Sequence, residues 1–387
     1  MTAEPRINVS SGRPLEGLAH YSRALRVGEL VLQSGTTAID RDGNVLGENV
    51  SAQIDAILEL AHGSMGAADG VFENVVRARL YVTDSAIINE ARCAFESALS
   101  GISPVVTLVP ICQLARPKQL IEIELEAVDN ASKNALHIDA SEFTQEGSAA
   151  ISIGGRILIG GIAASRGSAT EQVVYGLNVI QELIRRAAGN MEDLVAVKFF
   201  IVDISQSAEI IAQAGRLLGT VRPTVTITGI PPLADSNVLL IVEGEALKGA
   251  GDNRSDTPHP HFSEFSESVV VNDQIYLSNF TPVNRSGMIQ HPGDWAAQID
   301  YCLADLESVL IQLGGSLDDV IVRRFYTRED TEMNRAYGDG PGWFSATRPT
   351  ALGCRIIGHQ HEKSLISVEA HAVRGARNNI DWRMIEL

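Results

Sequence analysis

The sequence predicts an α/β (α+β) fold assembled three times over, each unit running strand-strand-helix-strand-helix-strand. Three observations predict it. A set of anchors recurs in one order three times, apolar residues around the first anchor keep helical spacing, and the last stretch of each copy alternates strictly. Ala52-Gln53-Ile54-Asp55 returns as Ala297-Gln298-Ile299-Asp300, with Glu171-Gln172-Val173-Val174 between them. At one fixed distance after each glutamine comes an apolar pair, Val75-Val76, Leu194-Val195 and Val320-Ile321. Further on lie the proline segments at Pro104, Pro223 and Pro349, and each unit closes with an alternating run around Glu122-Ile123-Glu124, Glu243-Gly244-Glu245 and Ser367-Val368-Glu369.

Each element follows from its local pattern. The apolar runs around 30–33 precede the first helix and read as one arm of a hairpin. The glutamine lies on a helix, because Ile54, Ile57, Leu58 and Ala61 share one face, as do Leu177, Ile180 and Ile184, and Ile299, Cys302, Leu303, Leu306 and Leu310. Glycine-rich stops end these helices and a strand follows. A second helix over 87–99 leads to the proline and the closing strand. Each unit is therefore about 120 residues, a sheet covered by helices on one face. The boundaries fall at 1–130, 131–250 and 251–387, with polar linkers at 129–134 and 248–260. The second linker, with Gly249, Gly251 and Pro258, is the more loop-like.

Composition narrows the function. At 387 residues with 45% hydrophobic and 20% charged residues the chain is globular and too long for one typical domain. With 31 basic and 48 acidic residues its formal net charge is −17, a field that repels phosphate backbones and anionic lipid. No apolar run is long enough to span a bilayer, and the N-terminus lacks a secretory pattern. The four cysteines show no metal-binding or disulfide spacing, so a cytoplasmic protein with reduced thiols is expected.

Several residues invite a chemical reading. Glu122 and Glu124 are two apart on a strand and leave the same face, as do Glu243 and Glu245. A glutamate on a cleft-lining face is able to orient or deprotonate water. Glu122 and Glu243 are the candidates for that task, against the plainer reading of an ion-paired sheet face. Arg79, Lys198 and Arg324 share one offset from their glutamines and would bring three cations toward related clefts, or form salt bridges to Glu124, Glu245 and Glu369. Six of the nine histidines lie in the last third, including His359 and His361, yet no carboxylate accompanies the His-x-His pairs, and no metal site or cofactor is expected. Residues 337–343 interrupt the second helix of the third copy with glycines and a proline. Tyr337 and Trp343 there offer flat surfaces to a ligand, or Trp343 anchors an ordinary turn. Cys354 reads as a buried thiol.

The first copy carries a specific resemblance. Tyr21-Ser22-Arg23-Ala24, Gln33-Ser34-Gly35, the Gln53 helix, Val82-Thr83-Asp84, Asn89 and Leu120 through Val128 are similar to the Rid (YjgF) family of reactive-intermediate deaminases. The resemblance implies chorismate-mutase-like units that assemble as trimers with sites between subunits, so this chain would be an intramolecular pseudo-trimer with three unlike clefts. It implies further that an arginine two residues after the proline clamps a substrate carboxylate, while the first glutamate of the Glu-x-Glu run serves water that attacks an imine carbon. The positions matching that arginine are Val106, Val225 and Ala351. The expected function is a cofactor-independent hydrolase acting at a C–N centre of a small polar metabolite. Glu122, Glu243, Arg324 and Tyr337 would take catalytic roles, and Tyr21, Ser34, Arg79, Asn89, Lys198, Asn334, Trp343 and His361 would contact substrate. The alternatives are a metabolite-binding pseudo-trimer without chemistry and a chorismatase-like enol-ether hydrolase or lyase. Further self-association of the ring is left open.

Overall fold

A computed structural model describes residues 6–139, 148–328 and 342–386. The chain begins with β1 (Arg6–Ser10), α1 (Pro14–Leu18), β2 (Ala24–Val27), β3 (Leu30–Thr37), α2 (Val50–Ala67), β4 (Val75–Val82), α3 (Ile88–Ala98), β5 (Val105–Pro110) and β6 (Ile121–Val128). After α4 (Ala131–Asn134) and β7 (Leu136–Asp139), the order from β2 onward returns as β8 (Ser148–Ile153), β9 (Arg156–Ala163), α5 (Ala169–Arg186), β10 (Leu194–Ile201), α6 (Ser207–Leu218), β11 (Thr224–Gly229) and β12 (Leu240–Leu247). The last third carries α7 (Ala250–Asn253), β13 (Ser255–Pro258), β14 (Ser266–Val271), β15 (Gln274–Leu277), α8 (Trp295–Gln312), β16 (Val320–Arg328), β17 (Thr350–Ile356), β18 (Ile366–Val373) and β19 (Ile380–Met384). The stretches read as linkers are partly regular: 129–134 holds the one-turn α4 and leads directly into β7, 248–260 holds α7 and β13, and each short strand pairs with the strand after it.

The repeated glutamine has a structural cause. Gln53 is buried in α2; its amide donates to the Lys118 carbonyl (2.8 Å) and its carbonyl accepts from Leu120 N–H (2.9 Å). Gln172 does the same with Asn237 and Leu239, and Gln298 with Lys363 and Leu365. Each glutamine therefore staples its helix to the turn that launches the closing strand, satisfying backbone groups that burial would otherwise leave unpaired. Apolar faces of α2, α5 and α8 cover one side of the sheet in three separate cores.

On the opposite side the three stretches meet. β5 reaches β8 at Val105 and Ser148, and β11 reaches β14 at Thr224 and Ser266. β17 closes the third seam against the first stretch: Ser22 N–H donates to the Pro349 carbonyl (3.2 Å), and Ala351 N–H donates to Ser34 Oγ (3.0 Å). β19 then runs parallel to β1, so the two ends of the chain share one ladder beside that seam.

Candidate active site

Strand pairing fixes which side chains are equivalent. β4 sets Tyr81 opposite Glu122 and Arg79 opposite Glu124; β10 sets Phe200 opposite Ile241 and Lys198 opposite Glu243; β16 sets Tyr326 opposite Ser367 and Arg324 opposite Glu369. Glu243 is therefore the counterpart of Glu124 and Glu369, not of Glu122. The position of Glu122 is filled by Ile241 in the second stretch and Ser367 in the third. Among the described residues Glu122 is the one carboxylic acid at this register.

The two groups have opposite environments. Glu243 lies in a ring of alternating charge around the axis where the stretches meet. Arg79 grips it through Nε (2.9 Å to Oε2) and Nη2, Lys198 reaches Glu369 (2.6 Å), and Arg324 reaches both Glu124 (2.8 Å) and Glu369 (2.5 Å). Burial resists ionisation of Glu243, but Arg79 and Lys198 outweigh it and hold the carboxyl well below its usual range. Burial, with Arg79 as a like charge, pushes Lys198 down to about 8. A second layer pairs Arg77 with Glu245 (2.7 Å) and Arg156 with both Glu245 and Glu126. Tyr81, Phe200 and Tyr326 join the apolar cluster at the end of the ring nearer Glu122. The cavity between the charged layers, about 70 Å³, is lined by five cations and five carboxylates already engaged with one another. Glu243, Arg324, Arg79 and Lys198, expected at a substrate, thus form the ion-paired centre of the assembly. Each of the three cations pairs with a carboxylate of another stretch, Lys198 and Arg324 also pair within their own, and Glu124 and Glu369 are among the expected partners.

Glu122 sits at the seam that β17 closes. Only 9% of it is exposed, and no side chain or backbone group among the described residues hydrogen-bonds its carboxyl. Burial, followed by the neighbouring Glu124, pushes its pKa up to about 8 against a small opposing pull from Arg23. Its oxygen lies so close to Gly35 that a Cβ there would collide with it and with Leu352 of β17, which accounts for glycine at that position. Tyr21 is buried beside it, and burial, with Glu16 and Glu122, raises its phenol against the pull of Arg23. Cys354 is buried on β17 and held as a thiol by burial and by the Glu122 charge. Ser34 uses its hydroxyl to donate to the Ser22 carbonyl (2.5 Å) and to accept from Ala351, so it shapes the seam through backbone.

The other expected residues separate. Asn89 is exposed on α3, whose neighbours Ile88 and Arg92 line the cleft toward β9, a different seam. That cleft is closed in by Val106, Leu108, Leu233 and Ile241, an apolar wall where the β17 seam carries an acid. Trp343 donates to Asp300 (2.9 Å) and packs on the third core, an anchored turn. His361 accepts from Lys363 N–H in the turn before β18, and His359 is buried and pushed down to about 3 by burial and Arg328. Asn334 and Tyr337 lie outside the described residues. No three His, Cys, Asp or Glu side chains converge on a metal centre among the described residues.

Two seam residues escaped the sequence reading. Arg23 is buried and donates to Glu16 (3.0 Å), which also accepts from Ser10 Oγ (2.6 Å). Arg323 is 3% exposed and is the register neighbour of Ala351 on β17. Its guanidinium lies over the rings of Phe325 (4.5 Å) and Phe344 (5.2 Å), and it donates to the Ala19 carbonyl across the seam. Two arginines in succession on a strand face opposite ways, so Arg323-Arg324 carried the signal: one cation for the axis, one for the seam.

Comparison with known proteins gives a consistent picture. A family profile described as Endoribonuclease L-PSP matches residues 12–129. A Mycobacterium tuberculosis structure described as a member of the YjgF/YER057c/UK114 family is 36% identical, covering 32% of this chain and 98% of that one, with a TM-score of 0.29. The 3-aminoacrylate deaminase RutC of Acinetobacter baylyi is 27% identical over 119 residues, 30% of this chain and 90% of its own. A chorismatase crystal structure aligns over 78% of this chain and 93% of its own at 14% identity and TM-score 0.51, a likeness of fold.

Proposed function

The chain belongs to the YjgF/YER057c/UK114 family, and from that membership we propose that it is a small-molecule hydrolase of deaminase type. The reading treats 1–130, 131–250 and 251–387 as three repeats of one pseudo-trimer, with chemistry at the seam where β17 of the last repeat meets β2 and β3 of the first. One observation carries it: Glu122 is a buried carboxyl with no hydrogen-bond partner among the described residues, pushed up to about 8 by burial and Glu124, at a register position held by isoleucine and serine in the other two stretches. A neutral carboxylic acid in that setting donates a proton and, once ionised, takes one back from water, which is general acid–base catalysis at neutral pH.

The reaction assigned is hydrolysis of a small imine or its enamine tautomer. Water adds to the imine carbon as Glu122 protonates the nitrogen. The ionised Glu122 then accepts a proton from the added water, leaving a neutral carbinolamine. Glu122 passes that proton to the amine, the C–N bond breaks as the hydroxyl returns a proton to Glu122, and carbonyl product and ammonia leave. RutC, by its name a 3-aminoacrylate deaminase, supports this class. The positions matching the usual arginine are Val106, Val225 and Ala351, and we assign the substrate's acidic group to Arg323 beside Ala351, in planar charge-assisted contact.

Purified full-length protein supplied with 2-aminoacrylate-type imines provides the test. Glu122→Gln is expected to lower kcat/KM by about 10²–10⁴-fold with folding intact, and Arg323→Met to raise KM more than it lowers kcat. Turnover by Glu122→Gln at the wild-type rate contradicts the assignment. Binding without turnover in the wild type would instead identify a metabolite-capturing protein.

A further inference from the structure

The outer edge of β19 is a strand edge with no partner among the described residues. β19 pairs with β1 alone, in parallel register from Arg6–Ile380 to Ser10–Met384. Ile385 N–H donates to the Ser10 carbonyl (2.9 Å), which fixes the alternation: Asp381, Arg383 and Ile385 direct their backbone groups toward β1, and Ile380, Trp382 and Met384 direct theirs outward. Trp382 is 45% and Met384 69% exposed, large apolar side chains on that edge. The short α1, which follows β1 closely, exposes Leu15 and Leu18 as well. Unpaired backbone beside exposed apolar side chains is a template for strand addition.

The sequence of the strand names the occupant. Ile-Asp-Trp-Arg-Met is self-complementary when two copies run antiparallel about a two-fold axis through Trp382. Trp382 then faces Trp382, and each Ile380 faces Met384 of the other copy. All three pairs use the outward backbone groups and form hydrogen-bonded positions of the ladder. On the opposite face Asp381 meets Arg383 of the other copy, twice. A charged edge that only repels neighbours carries one sign; here the signs are opposite and symmetric about the centre, so the same charges that discourage other strands favour this one. Within one chain Arg383 already holds Asp381 (2.8 Å) and Asp69 (2.7 Å), which keeps its side chain placed for the contact. We propose that the protein forms an isologous dimer in which β19 of two chains pair antiparallel and join their sheets edge to edge. This interface is independent of the seam at Glu122.

Sedimentation velocity of the full-length chain at micromolar concentrations tests it. Wild type is expected to sediment as a dimer. Asp381→Arg alone and Arg383→Asp alone set like charges opposite each other and are each expected as monomers, with circular-dichroism melts confirming that they fold. The decisive sample is their equimolar mixture, in which every 381 position again faces its opposite charge, so a heterodimer forms. Trp382→Ala is expected to weaken the wild-type dimer at least tenfold. A monomeric wild type, a dimer indifferent to the single reversals, or a mixture that stays monomeric overturns the proposal.

Discussion

The role proposed for Glu122 rests on what surrounds it rather than on what it is. Its pKa in the fold is near 8 while the unfolded chain offers the ordinary 4.5, so the folded state binds a proton that the unfolded state has released. The sign follows from linkage: the group's contribution to stability is complete below about 4.5 and is lost as pH rises through about 8. Between pH 6 and 9 that loss amounts to about 3 kcal/mol. Denaturant melts at both pH values are expected to show it in wild type and not in Glu122→Gln, whose amide does not titrate; identical pH dependence in the two proteins would remove Glu122 from the account. The residue type and its family position were legible in the sequence, but its solitude was not. Glu243 looked like a second copy because Val242-Glu243-Gly244-Glu245 imitates Ile121-Glu122-Ile123-Glu124 in face and alternation. A strand's own pattern gives the face and leaves the register open.

At the scale of elements the fixed spacing was the better guide. In all three stretches the glutamine carbonyl accepts from the N–H exactly 67 residues later, and the residue two beyond that is Glu122, Ile241 or Ser367. Counting from the staple assigns the register that the Glu-x-Glu motif obscured. The helices and closing strands were readable because burial imposes periods of 3.6 and 2 on apolar residues. β7, β13 and β19 were not, since they are short, half-exposed edge strands in polar sequence, and their formation depends on a neighbour's free backbone. The staple has a measurable weight. Gln298→Leu keeps the volume, strands the buried Leu365 N–H and takes the donor from the half-buried Lys363 carbonyl. An apparent loss of at least about 2 kcal/mol is expected in denaturant melts, and an unchanged midpoint would show that these groups find other partners.

At the scale of the whole molecule, the three stretches meet at one charged centre and differ at their seams. Arg79, Glu243, Lys198, Glu369, Arg324 and Glu124 alternate in sign around that centre; Arg79–Glu243, Lys198–Glu369 and Arg324–Glu124 join two different stretches, while Lys198–Glu243 and Arg324–Glu369 lie within one. Such a ring contributes specificity of assembly more than net stability, because desolvation offsets most of the attraction. Removing a single member is costly all the same: Lys198→Met leaves Glu243 and Glu369 short of a cation, and a loss of about 3–5 kcal/mol in thermal or denaturant unfolding is expected. Sequence alone placed these cations on one face and could not say whether they met substrate or carboxylates, since the partner lies on another stretch of the chain. With the charged ring neutralised internally, the proposal of reactivity rests on the seam whose carboxyl has no hydrogen-bond partner among the described residues. Carbon-13 NMR of glutamate side-chain carboxyls through a pH titration measures that directly, with Glu122→Gln identifying the resonance. A single carboxyl titrating near pH 8 and missing from the variant is the predicted result; a Glu122 resonance that titrates near its ordinary 4.5 contradicts the account.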